Sequence, residues 1–581
     1  MKTFICVLTL SFTMHLSFAQ LSVDTSIRFF LKPGVAKSAR DAKINDLFLL
    51  GKIWGFLKYY HPAIASGKYN WDQALLQFLP GYCNVKTIME RNDSLSAWIS
   101  RFGAVEPCVN CSDSLLKGAI LKPGFSWMDK SSFSAKLIQQ LKYIKSNRLQ
   151  KDHYYIKFMT EDDIYLGLPQ HEAAYANLVF PSDAYSILSV YRFWNFVEYW
   201  YPYKYNLPLA WDAVLKKMIV QMLQHKDVID YTLSVEELVA HIHDSHGYFT
   251  QGKTEEVKGK YYMPFTAKFL ENKLVVTSYL NDSLAAISGL QIFDIIERID
   301  GVPVDELVTK LARYCPASNR AALLRTLSYW ITRSKNPQTE LTLQRNGKPV
   351  DIRVKNYIPK YLSNPNMNPP QFSFQKDTAF CIIGDQIGYI NLGRFHRKDS
   401  LALKAMVAKT TRLIIDNRQN QNPEPMAGGG DIIAGIILPT DNYFAKFSTV
   451  QPSYPGVFTY SKPTDMHNNT SPDYYKGNIV ILINEQTQST GEFLTMAYQK
   501  APKAITIGTA TAGADGNVTY LSLPGSIFVQ ITGLGVCYPD GKETQRVGIQ
   551  PAIVAKETIA GYQNNIDEQL QKAIAWLQEK R

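Results

Sequence analysis

The chain has 581 residues and 46% hydrophobic content, enough to build roughly three to four domains with real cores, so a disordered chain and a small disulfide-stapled scaffold are both excluded. Its formal charge of +11, from 62 Lys and Arg against 51 Asp and Glu, is spread along the chain without a dense basic run, which gives nucleic-acid binding no support. Beyond the first residues no apolar stretch approaches the ~20 residues that cross a bilayer.

The first element is a leader. Met1-Lys2, the apolar residues 4–18 and Ser17-Phe18-Ala19 before Gln20 read as a secretory signal peptide cut after Ala19. Cys6 lies at its start, against a lipoprotein. The expectation is export to the periplasm or the extracellular space, with no integral membrane segment left after cleavage. Of the seven cysteines, Cys83, Cys108, Cys111, Cys315, Cys381 and Cys537 remain. Cys108-Val109-Asn110-Cys111 has no second pair at zinc spacing and reads as a local disulfide.

The next signal is an internal duplication. Trp54-Gly55-Phe56-Leu57-Lys58-Tyr59-Tyr60-His61-Pro62 recurs as Trp194-Asn195-Phe196-Val197-Glu198-Tyr199-Trp200-Tyr201-Pro202, and Trp71-Asp72 recurs as Trp211-Asp212 at the same interval. The kept spacing predicts two copies of a helix, proline turn, helix unit, each burying an aromatic face. Only the second copy runs on through the helical pattern Val235-Glu236-Glu237-Leu238-Val239-Ala240-His241 into Asp244-Ser245-His246-Gly247. A loop histidine just past a helix end can act as a general base, because imidazole titrates near neutral pH. His241 and His243 read as helix-end residues favoured by the dipole; no metal-ligand spacing is present and no metal is expected.

Residues 260–355 read as a small β domain. Strand-like Lys273-Leu274-Val275-Val276-Thr277-Ser278 and a short helical stretch at 282–287 precede Gly289-Leu290-Gln291-Ile292-Phe293-Asp294-Ile295-Ile296-Glu297-Arg298-Ile299-Asp300-Gly301, where Asp-Gly marks a tight turn. Further on, Ile479-Val480-Ile481-Leu482-Ile483 reads as a buried strand and the pattern from Phe493 through Leu494, Met496 and Ala497 as an amphipathic helix. Ser489 sits at the turn between them, where helix N–H groups can stabilise an oxyanion. Glu492, three residues on, predicts a capping box, and Ser489 can be read as a plain N-cap.

Taken together these segments resemble the serine peptidases of the C-terminal-processing and tricorn-core family, in which a Ser-x-x-Glu motif follows a hydrophobic strand. The likeness runs over residues 181–555. In the Ser-Lys branch of that family the base is a lysine about two dozen residues after the nucleophile, a position held here by Ala514. In the tricorn branch it is the histidine of a Ser-His pair, which Ser245-His246 matches. Leu413-Ile414-Ile415-Asp416-Asn417-Arg418 with Gly428-Gly429-Gly430 resembles the strand and glycine turn that contribute to the oxyanion hole. Tyr538-Pro539-Asp540-Gly541-Lys542-Glu543-Thr544-Gln545 resembles the segment carrying the fourth catalytic member, assigned to Glu543, with Gln545 at the alternative register. The middle β domain resembles a PDZ domain, which implies peptide binding by strand addition.

The resemblance implies a multidomain α/β protein: a signal peptide at 1–19, a helical module at 20–180, a second at 181–256 carrying Ser245-His246, a PDZ-like domain at 257–360 and a tail-specific-protease core at 361–581. It implies a serine endopeptidase acting on a peptide or protein without a cofactor. Ser489 would attack a peptide carbonyl with His246 as base, Ser245 and Glu543 would orient the imidazole, and Thr490 with one of Gly428, Gly429 and Gly430 would bind the oxyanion. An inactive peptide binder and a serine esterase are the competing readings.

Overall fold

The computed structural model describes residues 27–580 apart from 151, 179–180, 251–253, 363–377, 419–429, 441 and 467–471. The leader, the polar loop at 420–425, Gly428 and Gly429 lie outside the described residues. Among the described residues no helix is long and apolar enough to cross a membrane, and Cys108 and Cys111 are joined in a disulfide.

The two repeat copies form helix pairs. The helix Lys37–Tyr60 ends at His61-Pro62 and Trp71–Cys83 follows; Asp183–Trp200 ends at Tyr201-Pro202 and Trp211–Met222 follows. Each long helix stops where proline removes the next N–H and forces its predecessor into extended backbone, as His61 (ψ 119°) and Tyr201 (ψ 120°) both are. Within each copy the two tryptophans stack and each indole donates to the other's carbonyl: Trp54 to Trp71 (3.3 Å) and back (3.0 Å), Trp194 to Trp211 (2.8 Å) and back (3.0 Å). Burying an indole N–H without a partner is costly, and this swap satisfies both rings inside the core.

Between copies the pairing is reciprocal as well. Asp72 of the first binds Arg192 of the second, and Asp212 of the second binds Lys52 of the first (2.7 Å). Where the long helices cross, glycine in one copy faces the bulky residue at the same repeat position in the other. A Cβ on Gly51 would lie 2.6 Å from the Tyr191 ring, and one on Gly55 1.8 Å from Asn195. The modules at 20–180 and 181–256 are therefore not separate bodies. Their apolar faces cover each other in one core that also takes Val450, Phe458 and residues 521–531 of the C-terminal part.

The middle module is an antiparallel sheet in the order Lys348–Lys355, Gln338–Arg345, Ile295–Ile299, Lys273–Tyr279, Phe265–Leu270, with Val302–Pro303 paired to Ile295–Ile299. The helices Val304–Ala312 and Arg320–Ile331 cover it, burying Val308, Leu327 and Ile331 against Phe265, Leu274 and Leu341. Asn319 caps the second helix and its amide also donates to the Thr511 carbonyl (2.8 Å), so this helix begins against the C-terminal domain.

That domain is built on a six-stranded sheet, Phe380–Ile383, Ile387–Asn391, Arg412–Asp416, Asn478–Ile483, Ala504–Gly508 and Ile553–Val554, parallel after its first pair. The strands are apolar throughout because both faces are covered. Ile479, Ile481 and Ile483 point toward the helices Gly430–Ile437 and Thr490–Tyr498, while Val480 and Leu482 face the last helix, Glu568–Glu579. Ser489 follows the carboxyl end of Asn478–Ile483, an interior strand, the place where open α/β sheets commonly present reactive groups.

Candidate active site

Ser489 holds a backbone that side chains rarely adopt, φ 56° and ψ −122°. For a non-glycine residue this costs about 1–3 kcal/mol and persists only where the surroundings impose it. The imposing contacts are visible. The Ser489 N–H donates to the Ala514 carbonyl (2.8 Å), and its carbonyl accepts from Phe493 N (3.0 Å). On the other side, Thr487 Oγ1 donates to the Asn417 carbonyl (2.6 Å), while the Asn417 amide donates to Gly491 O and Thr495 Oγ1 (both 2.8 Å).

The plain N-cap reading fails here, because the Ser489 hydroxyl makes no capping hydrogen bond. The expected capping box fails with it. Glu492 is buried and turned toward the 511–514 turn, where it accepts from Thr511 Oγ1, Gly513 N (3.0 Å) and Ala514 N (2.9 Å). Burial pushes its carboxyl up to about 7 against the pull of these donors. Its work is to hold Ala514, which in turn holds Ser489. The Ser-Lys position is thus occupied by a buried backbone support.

His246 comes to the same place from the other end of the chain. The helix Val228–Ala240, capped by Asp227, delivers a turn in which Asp244 Oδ1 accepts the His246 N–H (3.0 Å) and Gly247 N donates to Asp244 O (2.7 Å). Residues Tyr248–Thr250 then join the hairpin Val518–Leu523/Ile527–Thr532 as its third strand, with Phe249 opposite Val529. That pairing sets the imidazole against the hairpin's last residue: His246 Nδ1 lies 2.8 Å from Thr532 Oγ1.

Buried Asp244 stands 4.0 Å from Nδ1 and also accepts the Thr532 N–H (2.9 Å). The other ring nitrogen, Nε2, is buried without a hydrogen-bond partner. Burial holds the imidazole below its ordinary pKa of 6.5, opposed by the Asp244 charge and assisted by Arg325. Ser489 and His246 line one cleft of about 710 Å³.

Several sequence expectations are redirected. Ser245 does not orient the imidazole; its hydroxyl donates to Ala512 O (3.2 Å) and accepts from Ser318 N (2.8 Å), tying the histidine loop to both neighbouring domains. Glu543 is half-buried and its main chain bridges to Cys537, while Gln545 is buried with neither amide atom hydrogen-bonded; neither residue bonds to His246. The imidazole partner at Nδ1 is Thr532, which carried no sequence signal. Asp244 had one, two residues before the histidine. Thr490 opens the helix directly after Ser489. Gly430 begins the helix Gly430–Ile437, where a Cβ would lie 2.5 Å from Leu494 of the helix that follows Ser489. His241 is the C-cap of its helix, beside Lys217 (3.3 Å).

Arg325, on the middle module's helix Arg320–Ile331, was also missed. It donates to Glu485 O and Gln488 Oε1 (both 2.7 Å), and Gln488 Nε2 donates to Ser245 O (3.2 Å). This chain of bonds stitches the middle module, the Ser489 turn and the histidine loop together.

Residues 386–555 match the profile of peptidase family S41. This chain carries a peptidase family S41 domain. The matched stretch includes Ser489 and Glu492 but not His246, which the duplicated helical region supplies. A CtpA-like serine protease of Staphylococcus haemolyticus is 22% identical over 292 residues, 48% of this chain and 50% of the relative. A carboxy-terminal-processing protease of Bartonella bacilliformis is 24% identical over 300 residues, 50% of this chain and 60% of the relative. The chain thus spans half to three-fifths of the length of these relatives. Around and beyond the S41 domain, the fold is similar to that of mature CPAF, at a TM-score of 0.51 and 14% identity over 68% of this chain and 96% of that one.

Proposed function

We propose that this protein is a serine endopeptidase, exported on the strength of its leader pattern, in which Ser489 attacks a peptide carbonyl and His246 is the general base. One observation carries the reading: a serine in strained left-handed backbone, free of any capping bond, shares a cleft with a buried histidine whose Nε2 has no partner.

With Nδ1–H donating to Thr532 Oγ1, the lone pair is on Nε2, which takes the Ser489 proton as Oγ bonds to the carbonyl carbon. The imidazolium so formed is stabilised by Asp244. It returns the proton to the leaving amine, and water then releases the acyl group from Ser489 by the same route. In this reading Thr490, the first residue of the helix after Ser489, would supply an N–H to the oxyanion. The middle module takes part in substrate binding, since its helix contributes Arg325 to the cleft.

The test is labelling by a fluorophosphonate probe with mass mapping of the adduct. A single adduct on Ser489 that disappears in His246→Ala is expected. An intact protein that stays unlabelled would leave the peptide-binder reading.

The pH profile follows from burial. His246 must be neutral to act, and burial disfavours its charged form, so activity rises with pH and is half-maximal below pH 6.5. The acid limb of kcat/KM on a peptide substrate measures this. A midpoint above 6.5 would mean that the Asp244 charge outweighs burial.

A further inference from the structure

We propose that the cleft beside Ser489 selects substrates by a carboxylate side chain, so that the peptides bound and cut carry Asp or Glu close to the scissile bond. This rests on the peptidase reading and names the substrate class.

The cleft walls hold three cations, Lys258, Arg325 and Arg333, and no Asp or Glu is among the described residues that line it. The two guanidinium groups are held by neutral acceptors. Arg325 donates to Glu485 O and Gln488 Oε1, and the Glu485 carboxylate is engaged instead by Lys268 (3.2 Å). Arg333 donates from Nε and Nη2 to Gly259 O (3.0 and 2.5 Å) and lies over the Tyr262 ring (4.8 Å). Lys258 sits 3.6 Å over Trp330, with 8% of its side chain exposed; its carboxylate partner Glu236 is 3.4 Å away and buried.

Cations scattered over a protein surface are ordinarily solvated and unremarkable. These three converge on one concave site, with limited exposure and fixed geometry, and repel each other there. An anion brought by the ligand relieves that repulsion. The cleft is continuous with Ser489, so its occupant is the substrate itself. An internally cleaved chain presents carboxylates as Asp and Glu side chains. Tyr248, Tyr329 and Trp330 supply apolar wall for the rest of the peptide.

The test uses Ser489→Ala protein and N-acetylated, C-amidated dodecapeptide pools in which each position in turn is fixed as Glu, Gln or Lys, with binding read by fluorescence anisotropy. Glu pools are expected to bind at least ten-fold tighter than Gln pools at one or two adjacent positions. The ratio should fall to within about three-fold in 0.5 M salt, which screens the attraction, and again on adding Arg333→Gln, whose melting is checked for an intact fold. Equal binding of Glu and Gln at every position, a preference for Lys, or a gain seen only with a free C-terminal carboxylate overturns the proposal. Fluorophosphonate labelling of the wild-type protein needs no acidic residue and separates the failures. Labelled Ser489 without Glu preference sinks this inference alone, whereas Glu preference without labelling keeps the carboxylate cleft and sinks the peptidase.

Discussion

Replacing Ser489 with alanine is expected to lower kcat/KM for peptide hydrolysis by about 10⁶-fold, the loss seen when a serine nucleophile is removed from such a site, with little change in stability. The hydroxyl makes no capping bond whose loss would weaken the helix, so its removal deletes chemistry and leaves packing alone. A second substitution separates the backbone from the side chain. Ser489→Gly should be equally inactive yet more stable than Ser489→Ala, because glycine adopts φ 56° without a Cβ clash. Relief of about 1–3 kcal/mol, less about 0.4–1 kcal/mol for glycine's greater unfolded freedom, leaves a net gain of roughly 1 kcal/mol. Urea midpoints of the two variants measure it. If glycine is no better than alanine, the turn is not strained and the idea of an imposed nucleophile geometry fails.

The largest effect on stability is expected from Arg418→Leu, a loss of about 3–5 kcal/mol. Arg418 is buried between two carboxylates: Nε and Nη2 bond Asp416 (2.9 and 2.7 Å), and Nη1 and Nη2 bond Asp567 (both 2.8 Å). The Tyr389 hydroxyl adds a bond to Asp416 (2.7 Å), and Asp567 also caps the last helix through Leu570 N (2.9 Å). Leucine fills the volume and leaves both acids buried without their cation. Adding Asp416→Asn and Asp567→Asn should recover part of the loss, since neutral amides no longer need it. Activity should fall beyond the loss of folded protein, because Arg418 follows Asn417, whose side chain grips the helix after Ser489 at Gly491 and Thr495. A urea midpoint close to wild type would show that water reaches the acids.

The family likeness was legible because its elements are local. The strand Asn478–Ile483 and the helix Thr490–Tyr498 are written in the apolar pattern of adjacent residues, and the helix Asp282–Ile287 falls on the stretch expected for it. The duplication was legible from kept spacing, and the reciprocal tryptophan bonds give that spacing its cause. The role of Glu492 was misread for a related reason: Ser-x-x-Glu is a capping pattern locally, and only the 511–514 turn, folded back over the helix start, offers the carboxylate better donors. The Ser245 and Glu543 roles, carried over from the resemblance, met the same obstacle, since a matched motif does not state where its hydroxyl or carboxylate points.

By itself, the sequence determined the secondary elements, the repeat and the identity of Ser489 and His246 as candidates, because these depend on periodicity, proline and glycine placement, and intrinsic pKa. That they line one cleft was decided by tertiary structure alone. Strand Tyr248–Thr250 adds to a hairpin that lies nearly three hundred residues later in the chain, and that addition brings Thr532 to the imidazole, whose Nε2 is buried without a hydrogen-bond partner. Such pairings arise from long-range burial and edge-strand hydrogen bonding, to which no local pattern of residues is sensitive. The convergence of Lys258, Arg325 and Arg333 has the same origin: a helix of the middle module is packed against the S41 domain, and charges spread along the sequence become one cationic wall.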